Sequence, residues 1–147
     1  MTSPKAQTDN PEEEIVEVPE PLLFNISFAR LAELKRSAIM LVAARRVPTC
    51  PSLDLPDSEL TDPQKLVNEI ADHFEDSDGF ITSEMTIQEI LFRTLLSRRN
   101  APTLLSDLHY ELTERWSTPV RPINITEGGL RIVLQSDKYY GFATVDK

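Results

Sequence analysis

The sequence predicts a mainly α-helical protein with a small β element at its C-terminal end. Apolar residues recur at helical spacing in several separate stretches, and prolines or glycines stand between those stretches. The last stretch, 139–145, is instead rich in the aromatic and β-branched residues that favour strands. A length of 147 residues, 40% of them apolar, suits one compact domain with some additional tail.

The N-terminal 22 residues are predicted to form a disordered acidic tail. Residues 1–20 carry six acidic side chains and a single lysine, with little branched or aromatic material to bury. The stretch also lacks the apolar segment of a secretory signal, and the longest apolar-rich run of the chain, Ala38 to Ala44, is too short to span a bilayer. We therefore expect a cytoplasmic protein with no membrane partner.

Residues 23–47 are predicted to form an amphipathic basic helical arm. Within them, 27–46 reads as one helix, with Ser27 as N-cap and leucines at helical spacing on one face. Basic side chains lie off that face and in the last turn: Arg30, Lys35, Arg36, Arg45 and Arg46. This surface suits a nucleic-acid backbone or an acidic partner, and it also suits an ordinary solvated helix face.

Four prolines within residues 48–63 predict an extended linker, because proline removes a hydrogen-bond donor and disfavours a helical residue before it. The linker would divide the arm from a main domain at 64–147. Asp62 and Pro63 then form a favourable start for a helix over 64–74, whose Leu66, Val67 and Ile70 share one face.

The stretch FEDSDGFITSEM, residues 74–85, is similar to the loop of a calcium-binding helix–loop–helix motif. With Gly79 at the sixth position of such a loop, Asp76 and Asp78 take the third and fifth, which carry ligands. The first and twelfth positions are Phe74 and Met85, so both ends of the ligand set are missing. The stretch therefore predicts a turn, and a calcium-responsive module is a third hypothesis for function.

Three further helices and a strand are predicted after this turn. A capping box, in which Thr86 caps the helix and Glu89 reaches back, starts a helix over 86–99. A second helix runs from Thr103 to Trp116. A third starts at Asn124, although the β-branched residues in 130–134 leave a strand as the alternative there. The final strand over 139–145 is expected to pair with residues 80–82.

The pattern TIQEILFRTLL…AP…LLSDLHYEL, followed by a third helix and an aromatic-glycine strand, resembles the HARE-type winged helices found beside transcription and restriction proteins. The resemblance covers 86–145. It implies a mainly α fold with a small β wing, in which the third helix would be the recognition helix. That segment carries only Arg131 as a strong cation, whereas a helix that reads DNA normally presents several donors. The resemblance therefore favours contact with protein.

The sequence favours a non-enzymatic protein that needs no cofactor. We find no nucleophile elbow or phosphate loop, His73 and His109 lack partners at metal-ligand spacing, and Cys50 is the only cysteine. The predicted function is protein interaction within a regulatory or transcription-linked assembly. The alternative is direct nucleic-acid binding, against which the net charge of −9 argues. The contact residues predicted for either partner are Arg45, Arg46, Arg98, Arg99 and Arg131.

Overall fold

The computed structural model describes residues 21–146, so the predicted tail lies almost wholly outside the described residues, as does Lys147. Over the described range the fold is mainly α with a small antiparallel sheet, as predicted. The strands are β1 (Leu23–Ile26), β2 (Thr103–Leu104) and β3 (Phe142–Thr144). The helices are α1 (Phe28–Glu33), α2 (Ala38–Ala43), α3 (Pro63–His73), α4 (Ile87–Ser97), α5 (Leu105–Tyr110) and α6 (Glu127–Ser136).

The sheet has the order β2-β1-β3, with the first strand of residues 21–146 at its centre. Phe24 is paired with Thr103 on one side and with Thr144 on the other. The C-terminal strand is therefore present, but its predicted pairing with residues 80–82 is wrong, because those residues form no strand and β1 takes that place. The alternation in LFNI buries Phe24 and Ile26 against the helices.

Asn100 completes the hydrogen bonding of β1 beyond the end of β2. Its side-chain Oδ1 accepts from the backbone N–H of Ile26 at 2.7 Å, and its Nδ2 donates to the carbonyl of Ile26 at 2.8 Å. The amide thus takes the place of a paired strand residue. Asn100 itself has a φ of 59°, a left-handed conformation that asparagine tolerates better than most residues, and it ends the turn after α4.

The predicted single helix over 27–46 is corrected to two short helices. Ser27 caps α1 as predicted, its Oγ accepting from the backbone N–H of Arg30. Lys35 then adopts a φ of 61°, and Ser37 caps α2 by accepting from the backbone N–H of Met40 at 3.1 Å. Ser37 therefore offers the backbone an alternative to a continuous helix, and the chain bends there.

Residues 23–47 are part of the main core and not an arm divided from it. Leu31 and Val42, both fully buried, belong to one apolar cluster with Val67, Leu95 and Leu108 of the later helices. The proline-rich segment 48–63 contains two short 3₁₀ turns and lies against α3. It therefore connects parts of one core.

The later helices lie close to their predicted positions. Asp62 caps α3 and Thr86 caps α4, as expected from the sequence. The helix predicted from Thr103 begins two residues later, because Thr103 is in β2, and it ends in a π-turn at Glu111–Arg115. Residues 130–134 are helical, and α6 is capped by Thr126 instead of Asn124. The winged-helix resemblance itself stays a prediction.

Candidate interaction surfaces

Arg45, predicted as a contact for a partner, is bound inside the fold to Glu89. The Glu89 carboxylate accepts from Nε of Arg45 at 3.0 Å and from its Nη2 at 2.7 Å. It also accepts from Nε of Arg93 at 2.6 Å and from the hydroxyl of Tyr140 at 2.7 Å. We call Arg45, Glu89, Arg93 and Tyr140 the Glu89 cluster. The side chains of Arg45 and Glu89 are only 11% and 15% exposed, so each charge is largely neutralised by the other and not available to a partner.

In the Glu89 cluster, only half of the predicted capping box is present, and the pKa values of Glu89 and Tyr140 are shifted. Thr86 accepts from the backbone N–H of Glu89 as expected, but the Glu89 carboxylate turns to the arginines instead of reaching back. Burial alone would raise the pKa of Glu89, yet the donors on Arg45, Arg93 and Tyr140 outweigh it and bring that pKa down to about 2. Burial, together with the hydrogen bond to Glu89, raises the pKa of Tyr140 to about 12.

Three of the other four predicted contact arginines are also engaged within the protein. Nη1 of Arg46 donates to the backbone carbonyl of Ser52 at 3.0 Å and to its Oγ at 3.1 Å. Arg99 is paired with Asp72, and Arg98 lies 3.7 Å from Glu111. Arg131 is exposed on α6 and forms no ion pair with another residue of 21–146.

The turn at 74–85 is built by internal hydrogen bonds. Asp76 accepts from Oγ1 of Thr49 at 2.9 Å and lies 3.1 Å from Nδ1 of His73, and these two contacts lower the pKa of Asp76. Gly79 has a φ of 80°, as a turn with glycine requires. Within residues 21–146, no three His, Cys, Asp or Glu side chains are grouped as metal ligands, so Asp76 and Asp78 are not part of such a group.

A groove of about 530 Å³ lies between α3 and the preceding segment 51–61, and we call it the α3 groove. Leu55, Leu60 and Leu66 line it with apolar surface. Leu60 and Leu66 are buried, whereas Leu55 is 45% exposed. The charged side chains around the groove are Glu59, Asp62, Lys65, Glu69 and Asp72. Four carboxylates therefore face one lysine, and the groove is acidic at its edge and apolar inside.

The outer wall of the α3 groove is fixed to α3 through Ser52. The backbone N–H of Ser52 donates to Glu69 at 2.9 Å, and its hydroxyl donates to the same carboxylate at 2.5 Å. Arg46 binds the other side of Ser52. Because Ser52 is 8% exposed, these bonds are largely sheltered from water. The groove therefore has a wall of defined position.

A basic surface lies where α1 and α2 meet the turn before β3. The guanidinium carbon of Arg36 lies 3.7 Å from the ring centre of Tyr139, and Nη2 of Arg30 donates to the carbonyl of Asp137 at 3.0 Å. Lys35 and Lys138 are exposed on the same two segments. We call Arg30, Lys35, Arg36 and Lys138 the basic corner. The sequence indicated the first three as a basic surface, but Lys138 arrives only because β3 pairs with β1.

A smaller cavity, of about 340 Å³, lies between the β2–α5 junction and the start of α6. Leu22, Leu105, Gly128 and Arg131 are among its lining residues. Arg131 is thus placed beside a cavity instead of joining the other predicted arginines.

None of the helices within residues 21–146 has the length and apolar character needed to cross a bilayer. No protein-family model, curated protein sequence or solved structure matches this chain.

Proposed function

We propose that the protein is a non-enzymatic protein-interaction module of a regulatory or transcription-linked assembly, and that its α3 groove binds a segment of a partner protein. The observation that carries this proposal is the groove itself. It combines an exposed leucine, buried apolar walls and a fixed outer wall. Apolar surface of this kind, rimmed by polar groups, is typical of sites where proteins meet.

The charge around the groove favours a basic partner segment. Residues 50–80 carry nine acidic side chains and one lysine, and four of the acidic ones line the groove. Among residues 21–146, Asp72 forms the only ion pair that involves a carboxylate of this lining. Opposite charge at the rim speeds association and excludes acidic competitors. A second copy of this chain, at a net charge of −9, would be repelled.

The form of the groove favours a short segment with one or two large apolar side chains between lysines or arginines. A volume of about 530 Å³ lies within the usual range for binding pockets and holds only a few side chains. The apolar anchor would cover Leu55, and the basic residues would lie over Glu59 and Asp62. Ser52 already holds the wall in place, so little conformational entropy of this protein would be lost when the segment binds. The affinity is higher when less entropy is lost on binding.

The same features disfavour nucleic acid as the occupant of the groove. Its carboxylates would repel phosphates, and Arg45, Arg46 and Arg99 are bound to groups within the protein.

Peptide selection against the full chain tests the proposal, with Leu55→Asp as the disrupted variant. Leu53→Asp is the matched control, because Leu53 is 46% exposed in the 3₁₀ turn just before Leu55 and is not among the residues that line the groove. We expect wild type and Leu53→Asp to enrich a common set of peptides with apolar residues flanked by Lys or Arg. Leu55→Asp should bind those peptides at least about tenfold more weakly, since it places a charge where an apolar side chain docks.

Each other outcome contradicts a defined part of the proposal. Enriched peptides that bind Leu55→Asp as well as wild type would show that the partner surface lies elsewhere. If neutral or acidic peptides are enriched and their binding requires Leu55, the groove is the binding site but the partner segment is not basic. A selection that enriches nothing with either wild type or Leu53→Asp would contradict an interaction module of this kind.

A further inference from the structure

We propose that the basic corner binds a phosphate group carried by a second protein, as a phosphorylated serine, threonine or tyrosine. This site is separate from the α3 groove and does not depend on it. The inference rests on how Arg30 and Arg36 are held.

Both arginines are positioned by uncharged groups. Arg36 lies over the ring of Tyr139, and Arg30 is held by the backbone carbonyl of Asp137. Neither arginine forms an ion pair with a carboxylate of residues 21–146. The two contacts are made to one turn, at Asp137 and Tyr139, so both guanidinium groups are held against the same turn with their charge retained.

The two guanidinium groups are partly withdrawn from water, and no carboxylate of residues 21–146 compensates their charge. The Nε atoms of Arg30 and Arg36 are buried and have no hydrogen-bond partner among the described residues. A charged group that loses water without gaining a counter-charge is destabilised. An anion that binds beside these arginines would supply the missing counter-charge. A lysine that is fully solvated has lost no water, so an anion bound to it would stabilise it much less. Stacking on Tyr139 also fixes the plane of the Arg36 fork before a ligand arrives.

Few acidic groups oppose an anion at this corner. Glu33 is exposed on α1, and the Asp137 carboxylate belongs to the turn itself. Asp137 is already engaged, because its Oδ2 accepts from the backbone N–H groups of Tyr139 at 3.0 Å and Tyr140 at 2.7 Å. Within residues 28–43 and 137–141, which form this corner, the four cations therefore exceed the two carboxylates. Two of the cations are arginines, which bind phosphate oxygens through paired donors.

The compactness of the corner favours a phosphorylated side chain over a polynucleotide. A phosphomonoester brings close to two negative charges and three acceptor oxygens to one point. A polynucleotide derives its affinity from many phosphates along a basic track. Here the cations end at one turn, and the whole chain has a net charge of −9, which repels a long polyanion.

Titration of the full chain with inorganic phosphate, followed by the Nε–Hε NMR signals of its arginines, tests the site. Chloride at equal ionic strength is the reference. We expect the Arg30 and Arg36 signals to shift saturably with phosphate only. A labelled random-sequence peptide pool with a central phosphoserine should bind more tightly than its unphosphorylated counterpart. Arg36→Gln should weaken that binding about tenfold or more, whereas Arg131→Gln and Leu55→Asp should not.

The result that would overturn the site is a phosphate response that is absent, unsaturable or unchanged in Arg36→Gln. If Arg36→Gln fails to fold, Arg36→Lys keeps the charge without the planar fork, and the same weakening is expected. A labelled 15-nucleotide oligothymidine that binds more tightly than the phosphopeptide pool, and loses binding in the Arg36 variant, would overturn the phosphopeptide and assign the corner to single-stranded nucleic acid.

Discussion

Tyr139 and Tyr140 are adjacent in the sequence, and their rings are 4.7 Å apart, yet they belong to opposite environments. Tyr140 points inward to the Glu89 cluster, where two arginines share one carboxylate. Tyr139 points outward beneath Arg36, in the basic corner, where no described carboxylate neutralises the arginine. The comparison teaches that an arginine is available to a partner only when the fold has not already supplied its counter-charge.

The largest expected effect comes from Glu89→Gln, which removes that counter-charge. Arg45 and Arg93 would remain at 11% and 22% side-chain exposure without an anion. Breaking a buried ion pair in this way costs between about 3 and 5 kcal/mol, so the free energy of unfolding should fall by that amount in urea titrations. Glu84→Gln, an exposed change, is the control and should have little effect. Equal values for the two variants would show that the Glu89 cluster is not structural.

Acid should remove the same stabilisation from the wild type. The pKa of Glu89 lies at about 2 in the folded state, against 4.5 as its ordinary value, so the carboxylate stabilises the fold above pH 4.5 and loses that effect as the pH falls toward 2. The contribution amounts to about 3 kcal/mol. In urea titrations between pH 6 and pH 2.5, the difference between wild type and Glu89→Gln should shrink with falling pH. A constant difference would contradict the lowered pKa.

The two tyrosines provide a matched pair of smaller changes. Tyr140→Phe removes a 2.7 Å hydrogen bond to a carboxylate and should lower the free energy of unfolding by about 1.5 kcal/mol. Tyr139→Phe keeps the ring beneath Arg36, and the Tyr139 hydroxyl has no hydrogen bond to another residue of 21–146, so a change below about 0.5 kcal/mol is expected. Thermal unfolding of both variants measures this difference. Equal losses of stability in the two variants would contradict the different environments of the two tyrosines.

The smallest effect on stability is expected in the basic corner itself. Arg36→Gln removes a cation that has no described ion-pair partner, and it exchanges a stacked guanidinium for an amide. We expect a change within about 0.5 kcal/mol, because the loss of the stacking contact with Tyr139 is offset by the removal of a buried Nε that has no described hydrogen-bond partner. Chemical denaturation checks this expectation. A loss as large as that of Glu89→Gln would mean that Arg36 is structural, and the two regions would no longer differ.

Local signals predicted much of the helical framework. Ser27, Asp62 and Thr86 were predicted as caps from residue type and spacing, and each accepts the expected backbone hydrogen bond. The apolar spacing likewise predicted α3 and α4 within a residue or two of their ends. These features depend only on residues a few positions apart, which a sequence displays directly.

Features that depend on distant residues were missed. Glu89 fits a capping box locally, and nothing near it indicates Arg45 as its partner. Ile26 finds its hydrogen-bond partner in the side chain of Asn100, at a separation of 74 residues. For the residues of the α3 groove, the sequence showed only that the segment before α3 is acidic and rich in proline. The groove itself exists because α3 packs beside the two 3₁₀ turns of that segment, which the sequence does not show. The alternation of apolar and polar residues in LFNI is typical of a short strand, but it indicates neither the partner of Glu89 nor the groove, which depend on the fold.

The central position of β1 also shapes how this protein must be assembled. Leu23 pairs with Leu104 and Phe24 with Thr144, so both pairings close loops that span most of the chain. Such closures lose much chain entropy before they gain contacts, and they are slow. In a nascent chain, Phe24 would lack its first strand partner until Thr103 had been synthesised, and Ile26 would lack its own until Phe142 had been. The sheet is therefore expected to form after the α3–α4 pair, as the step that completes folding.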